Sequence, residues 1–324
     1  MTYPEFSPRP RYVEEFLVVD GITRAGKFLL GNVVSAIERV EFLQPAPLLT
    51  QLPYLHRLGK IPTETAKALL RTEIDSRIHD RILGRNLNGR ASDLSCVYRT
   101  PDRRRYLARA AAADDGKLIA RFLAEKRLPL FIAHDALGHA SFFFEVFPRA
   151  KLLHMLRDPI SLVESWRKRG WGKRFGADPK SMDHAFKSPR GPIPWYAVGW
   201  KKNYHSLGEI ERIVRSLGAA MQLAKREHQA LPPRLKARIA FASFEELTED
   251  PRPTLERLYA FIGSAPTRHM KAALKRERLP RPVERDYRVA LIRKFSRALS
   301  GEGKALLEEL AADYDRFWRP LARP

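Results

Sequence analysis

The sequence predicts an α/β fold: a three-layer, P-loop-like arrangement in which a mostly parallel sheet of about four or five strands lies between helices. Two observations favour this fold. Short apolar runs have the length of strands buried on both faces, and helical patterns separate them along the chain. With 324 residues, of which 44% are hydrophobic, the chain can form a large core. We therefore predict a single domain over residues 1–324.

The first strand is predicted at Phe16–Asp20, where an apolar run ends at Gly21. Helices are expected wherever apolar residues recur at helical spacing, and a polar segment with two glycines, residues 84–90, is expected to be a loop. In this half of the chain the predicted helices cover residues 27–40, 63–83 and 106–126.

The second half repeats the alternation. Residues 171–195, rich in Gly, Pro, Lys and Arg, are predicted to form a surface loop, and about the last fifty residues are predicted to be helical and basic. Further strands are predicted at residues 128–133, 151–156 and 237–243, and further helices at residues 160–168, 196–228 and 253–262. Ligands of such sheets bind beyond the carboxyl ends of the strands.

The chain is strongly basic, with 59 Lys and Arg against 37 Asp and Glu, a formal charge of +22. Such a field attracts anions. The basic residues are scattered, and there is no zinc pattern, aromatic stacking platform or basic heptad helix, so we do not expect a nucleic acid partner.

The lone Cys96 cannot form an internal disulfide, and nothing indicates an oxidising compartment. No signal-peptide pattern and no run of about 18 apolar residues is found, so we expect no transmembrane segment and a cytoplasmic location.

The segment Gly21-Ile-Thr-Arg-Ala-Gly26-Lys27 lies between the first strand and its helix. Glycines at both ends let backbone N–H groups converge on an anion, and the positive end of the helix points to the same place. Arg24 and Lys27 add full charges. The segment therefore predicts a phosphate-binding loop.

The spacing of this loop is also that of a Walker A motif, so a P-loop kinase or a related nucleotide-dependent phosphotransferase is the alternative function. Position 28 argues against it, because a Walker A loop places a Ser or Thr there to hold Mg²⁺, and this chain has Phe28. A sulfuryl group carries less charge than a phosphoryl group, so its transfer can depend on positioned cations alone.

A second anion site is predicted after the strand at residues 151–156, where Arg157-Asp-Pro159 begins a helix. Arg157 offers a planar fork to a phosphate. Asp158 is placed to cap the helix, and Pro159 presets its first turn. Ser165, two turns further on, can present its hydroxyl to the same phosphate.

Both motifs resemble those of the sulfotransferases that use 3′-phosphoadenosine-5′-phosphosulfate (PAPS). The family's loop reads Gly-x-x-[Arg/Lys]-[Ser/Ala/Cys]-Gly-Thr-[Ser/Thr]-Leu. Five positions match it: Gly21, Arg24, Ala25, Gly26 and Leu29. Lys27 and Phe28 replace its two hydroxyl residues.

The segment Phe147-Pro-Arg-Ala-Lys151 through Pro159, with Ser165, is similar to the family's 3′-phosphate motif. A third match, Ala242–Pro251 and the helix ending at Gly263, is similar to a segment whose role in the family is mainly structural.

The resemblance implies PAPS as the sulfuryl donor, adenosine 3′,5′-bisphosphate as the product, and no metal. Residues 41–127 and 170–235 would be helical insertions that select the acceptor. The residues implied to bind the nucleotide are Gly21, Thr23, Arg24, Ala25, Gly26, Lys27, Phe28, Leu29, Arg157 and Ser165.

Sulfuryl transfer places negative charge on the leaving oxygen, and Arg24 and Lys27 are predicted to neutralise it. His134, at the end of the strand at residues 128–133, is the predicted base, with Asp135 orienting it. Glu38 and Asp93 are weaker candidates for the base. The polar loop that contains Asp93 is a candidate acceptor site.

The acceptor stays open: a hydroxyl or amine of a small molecule, carbohydrate, lipid or peptide. A catalytically inactive nucleotide-binding homologue is a further alternative, because the loop has lost both hydroxyls.

Overall fold

The computed structural model describes residues 5–7, 9–175, 178, 183–283 and 287–323. Within them the strands are β1 (Leu17–Asp20), β2 (Gln44–Pro45), β3 (Leu130–Ile132), β4 (Lys151–Leu156), β5 (Phe186–Ser188), β6 (Gly191–Ile193) and β7 (Ile239–Ser243).

Five of these strands form one parallel sheet, in the order β2-β3-β1-β4-β7. Strand β1 lies in the middle, with Val18 opposite Phe131 of β3 and Leu152 of β4. All five carboxyl ends therefore meet at one edge, as predicted. Strands β5 and β6 form a separate antiparallel hairpin.

Helices cover both faces of this sheet. In chain order they are α1 (Lys27–Val34), α2 (Leu48–Arg57), α3 (Thr63–Leu83), α4 (Arg103–Ala111), α5 (Asp115–Ala124), α6 (Ala140–Val146), α7 (Pro159–Lys168), α8 (Trp171–Arg174), α9 (Glu209–Ala230), α10 (Pro233–Lys236), α11 (Phe244–Glu249), α12 (Pro251–Ile262), α13 (Met270–Arg276), α14 (Tyr287–Ser296), α15 (Gly301–Asp313) and α16 (Arg319–Leu321). Residues 314–318 form a π-helical turn between the last two.

Side chains that alternate along β1 enter two different hydrophobic cores. Val18 packs in a core with α3, α6, α7, α9 and α15, whereas Leu17 and Val19 pack with α1, α12 and α13. The sheet is therefore the middle of three layers, and the predicted α/β fold is confirmed.

Three predicted helices differ from those observed. The first ends at Val34, where the hydroxyl of Ser35 donates to the Gly31 carbonyl, and does not continue to residue 40. The helix expected over 106–126 is two helices, because residues 112–114 leave the helix and Asp114 caps α5. The helix expected over 196–228 begins only at Glu209, after Gly208 and two short 3₁₀ turns.

The surface loop predicted over residues 171–195 contains α8 and the hairpin of β5 and β6. Residues 176, 177 and 179–182 of this loop lie outside the described part of the chain. Strand β2 and helix α2 were not predicted. None of the helices described is long and apolar enough to cross a lipid bilayer.

Candidate active site

Two glycines with positive φ let the loop between β1 and α1 pack tightly against the sheet. Gly21 has φ +140°, and a Cβ there would lie 2.5 Å from the Met155 carbonyl oxygen. Gly26 has φ +108°, and its Cβ would lie 2.6 Å from the Phe244 ring. The loop therefore follows β4 and the start of α11 closely, and side chains are excluded at both positions.

The amino end of α1 is open for an anion. Gly26 is its N-cap residue and makes no side-chain capping hydrogen bond, and the first turn contains no acidic residue. The N–H groups of that turn and the helix dipole thus favour a negative ligand. Arg24 has φ +74°, uncommon for a non-glycine residue, and its side chain is exposed above the loop.

Lys27 is buried directly beneath the loop, with a relative exposure of 3%. Its Nζ donates to the Gly21 carbonyl oxygen at 2.5 Å and to Nδ1 of His134 at 2.7 Å. Burial lowers its pKa to about 8, although the charges of Asp135 and Asp20 raise it. The ammonium group is therefore protonated at neutral pH.

His134 follows β3, and its ring lies against the loop. Nδ1 is 3.0 Å from the Thr23 hydroxyl as well as 2.7 Å from Lys27, and the backbone N–H donates to Oγ1 of Thr50. Burial, with the charge of Lys27, lowers its pKa to about 3. The ring is neutral, and because an ammonium group only donates, Nδ1 accepts and Nε2 carries the proton.

Asp135 does not orient His134 as the sequence suggested, because Lys27 and Thr23 hold the ring. Asp135 has φ +56°, and among the described residues its buried Oδ1 has no hydrogen-bond partner. Burial raises its pKa to about 7; Lys27 opposes this rise, and Asp20 and Asp183 add to it. A carboxyl group that changes its charge near neutral pH therefore lies beside the predicted base.

Asp20, at the end of β1, is a residue that sequence reasoning missed. Its fully buried carboxylate accepts from the backbone N–H groups of Ala136 and Leu137 at 2.8 and 2.9 Å and lies 2.8 Å from Nδ1 of His154. Burial alone would raise its pKa, but His154 and Lys27 lower it to about 2. Asp20 thus fixes the turn that carries Asp135. Its place directly before Gly21 was the available sequence signal.

The second predicted motif lies beside the loop because β1 and β4 are neighbours. Nη1 of Arg157 donates to the Arg24 carbonyl oxygen at 2.8 Å, and its guanidinium lies 4.3 Å from the centre of the Phe244 ring. The Ser165 hydroxyl accepts from Nε of Arg24 at 3.3 Å. Asp158 caps α7, as predicted, accepting from the N–H groups of the first turn. The structure thus brings Gly26, Arg24, Arg157 and Ser165 to one place.

A cleft of about 540 Å³ opens beside the loop. Five aromatic side chains contribute to its wall, among them Phe28, the residue expected at a phosphate-contacting position. The described lining residues are Ile22, Thr23, Phe28, Pro45, Ala46, Pro47, Thr50, Gln51, Ile132, His134, Asp135, Trp166, Trp171, Asp183, Trp195, Tyr196 and Ala220. Helix α2, which the sequence did not predict, supplies Thr50 and Gln51. The volume is that of a small-molecule site.

The four remaining candidate side chains do not line the cleft. Ala25 and Leu29 are buried in the core with Val19. Glu38 is exposed and lies where the chain passes Ala265 and Ser264, and Asp93 bonds within its own loop, to Asn88. Neither lines the cleft. Over the described ranges, no group of three or more His, Cys, Asp or Glu side chains is arranged to hold a metal ion.

No protein-family model matches the chain. Among curated proteins it is similar to carbohydrate sulfotransferase 2 of mouse and of human, each 28% identical over 123 residues. This alignment covers 35% of the chain and 22% of each relative, so the chain spans about a fifth of their length. The similarity confirms the resemblance to sulfotransferases that the motifs predict.

Two solved structures similar to this chain are sulfotransferase domains. That of the Synechococcus PCC 7002 olefin synthase has a TM-score of 0.47 at 13% identity, covering 97% of this chain and 98% of that one. That of the curacin biosynthetic pathway has a TM-score of 0.48 at 11% identity, covering 94% of this chain and 99% of that one.

Proposed function

We propose that the chain is a sulfotransferase that moves a sulfuryl group from PAPS to a hydroxyl or amine, without a metal. The observation that carries this proposal is the adjacency of two anion sites. The glycine loop with Lys27 lies at the end of β1, and Arg157 and Ser165 follow β4, its neighbour in the sheet. One doubly phosphorylated adenosine can reach both sites.

The loop, the amino end of α1, Lys27 and Arg24 would hold the 5′-phosphosulfate. Arg157 and Ser165 would hold the 3′-phosphate. In the structure these two side chains contact Arg24. Donor binding therefore replaces contacts between protein groups with charge-assisted hydrogen bonds to phosphate oxygens.

In the reaction the acceptor oxygen attacks sulfur, forming a new S–O bond. The S–O bond to the 5′-phosphate breaks, and its electron pair leaves with adenosine 3′,5′-bisphosphate. Lys27 and Arg24 stabilise this negative charge. The acceptor's proton goes to His134, whose pKa, lowered by burial and by the charge of Lys27, rises as Lys27 turns to the donor. When Lys27 turns to the donor, the Thr23 hydroxyl is the remaining partner of Nδ1, and an Nδ1–H tautomer leaves Nε2 free to accept.

A phosphotransferase that uses Mg²⁺ is less well supported. Position 28 carries a phenyl ring, which lines the cleft and offers no oxygen to a metal ion. The proposed site neutralises the donor with side-chain cations.

Titration with nucleotides tests the donor. We expect adenosine 3′,5′-bisphosphate to bind tightly and equally with and without a chelator, and ATP with Mg²⁺ to bind weakly. A preference for ATP with Mg²⁺ would overturn the proposal. Tight binding of the bisphosphate without sulfuryl transfer to any acceptor would identify an inactive homologue.

The acceptor is held in the cleft, whose floor is the loop and the turn that carries His134. The similarity to carbohydrate sulfotransferases makes a sugar hydroxyl one class to test, with small molecules and lipids as the others. Residues 41–127 and 170–235 supply much of the cleft wall, which supports their proposed role in acceptor choice.

A further inference from the structure

Four aromatic side chains lie in a row along one side of the cleft, each ring tilted against the next. The ring centres of Trp171 and Trp166 are 5.6 Å apart, those of Trp166 and Tyr196 6.2 Å, and those of Tyr196 and Trp195 5.6 Å. The indole N–H of Trp166 donates to the Thr23 carbonyl oxygen at 2.8 Å, which fixes this surface to the phosphate loop. Trp166 and Trp195 are buried, whereas Trp171 and Tyr196 are half-buried. An acceptor ring can therefore pack against the exposed parts of this row, with its substituent directed at the loop.

Among the described residues that line the cleft, the two that carry a formal charge are carboxylic acids. Asp135, Asp183 and Tyr196 all line it. Burial raises the pKa of Tyr196, and the charges of both carboxyls add to this rise. Burial raises the pKa of Asp183 to about 6, while the neighbouring His184 lowers it. The carboxyl group is therefore ionised above that pH, and a negatively charged acceptor would meet it with like charge.

The positive charges of the site lie on the donor side. Among the described residues that line the cleft there is no Lys or Arg. Lys27 is beneath the loop, engaged by Gly21 and His134, and the guanidinium groups of Arg24 and Arg157 lie by Ser165 and Phe244. Within the described part of the lining, the excess of positive charge that gives the chain its +22 is therefore not represented, and Lys27 approaches the cleft only through its contact with His134.

We propose that the acceptor is a ring-bearing alcohol or phenol without negative charge, and that Asp183 enforces this choice. The inference rests on the proposed function, since it assigns the substrate of that same cleft. It opposes the choice of acceptor that the overall basic charge would favour, an anionic glycan or sulfated chain.

Three phenols of one shape and different charge test the proposal. The probes are tyramine, para-ethylphenol and para-hydroxyphenylacetate, each compared by kcat/KM with PAPS at about pH 8. We expect the anionic phenol to be at least about tenfold poorer than para-ethylphenol, from like-charge repulsion in a partly desolvated cleft. Tyramine should be no poorer than para-ethylphenol. Equal or better use of the anion would overturn the proposal.

Asp183→Asn separates the role of this carboxyl from simple steric fit, since it keeps the shape and removes the charge. The disadvantage of para-hydroxyphenylacetate should fall to about threefold or less in this variant. An unchanged ratio would refute the role of Asp183. Unaltered affinity for adenosine 3′,5′-bisphosphate checks that the variant is folded.

The controls distinguish this inference from the proposed function. If the bisphosphate binds and none of the three phenols binds or is sulfated, the acceptor class is wrong and the donor assignment stands. Sulfation of N-acetylglucosamine in preference to all three would likewise refute the acceptor class alone. If the bisphosphate does not bind, the proposed function itself fails.

Discussion

At the residue scale, Arg157 is the residue proposed to distinguish a nucleotide with a 3′-phosphate from one without it. Its guanidinium is held beside the loop by the Arg24 carbonyl and the Phe244 ring. We expect Arg157→Ala to weaken adenosine 3′,5′-bisphosphate by roughly tenfold to a hundredfold, the worth of a charge-assisted hydrogen bond to phosphate, and adenosine 5′-phosphate by much less. Isothermal titration of both nucleotides measures this, and an equal loss for both refutes the role.

Lys27 makes donor binding depend on pH. A bound anion stabilises the charged form of this lysine. Burial lowers the pKa of Lys27 to about 8. Nucleotide affinity should therefore be full below this pH and decrease as pH rises through it, since binding must then also protonate the lysine. Titrations across this range check the slope. Lys27→Arg should remove the dependence of nucleotide affinity on pH, because a guanidinium group stays charged. A flat pH profile in the wild-type protein would contradict this role of Lys27.

His134 is the proposed proton acceptor, and its removal should affect the chemical step. We expect His134→Ala to lower turnover about a hundredfold or more with little change in nucleotide affinity. His56→Ala, outside the cleft lining, is the matched control. Unchanged turnover would remove His134 as the base. A turnover that falls below about pH 7 in the wild type, together with a large loss of turnover at every pH in Asp135→Asn, would transfer the role to Asp135, whose pKa burial raises to about 7.

The nucleotide-binding residues could be predicted because each belongs to a motif read along the chain. Arg157 and Ser165 are eight positions apart, and Arg24 and Lys27 are three apart. Asp20 and the aromatic cleft could not be found in this way. Their roles depend on neighbours from distant segments, such as Ala136 for Asp20 and Tyr196 for Trp166.

At the element scale, the phosphate loop depends on Gly26 for two separate reasons, its backbone conformation and its contact with Phe244. Gly26→Ala should cost about 1–2 kcal/mol of stability for the positive φ and also lower nucleotide affinity, because the loop must shift. Gly59 has φ +65° with open space around it, so Gly59→Ala should cost similar stability without changing affinity. Equal affinities in both variants would contradict the close packing of the loop.

Strands and helices were predictable where the apolar residues followed one spacing without interruption. The strand at residues 151–156 and the helix at residues 63–83 match the structure because each is a single uninterrupted pattern. Helix ends were less predictable, since local groups such as the Ser35 hydroxyl and the Asp114 cap decide them. Strand β2 is only two residues long and includes Pro45, so its place beside β3 follows from tertiary contacts alone.

At the scale of the whole molecule, a buried triad of charged residues joins the two ends of the segment 41–127. Glu41 is fully buried and is bonded by Arg109 at 2.7 and 3.1 Å and by Arg127 at 2.7 Å. The Glu41 N–H also donates to the Leu128 carbonyl, so the two ends of the segment lie side by side. This arrangement is compatible with an insertion in one domain.

Glu41→Gln should lower the free energy of unfolding by about 3 kcal/mol, because it leaves two buried guanidinium groups without a counter-charge. Chemical denaturation measures this. Glu125→Gln is the control: Glu125 is partly exposed, reaches Arg127 only at 4.0 Å, and should change stability by less than about 1 kcal/mol. If Glu125→Gln lowered the free energy of unfolding as much as Glu41→Gln, this would contradict the central role of Glu41 in the triad.

Three of the five tryptophans, Trp166, Trp171 and Trp195, line the acceptor cleft. Much of the protein's intrinsic fluorescence therefore originates where an acceptor would rest, and one of these indoles is tethered to the phosphate loop. Occupancy of the cleft should alter emission without any attached dye, so that libraries of unlabelled compounds can be surveyed optically before a product is known.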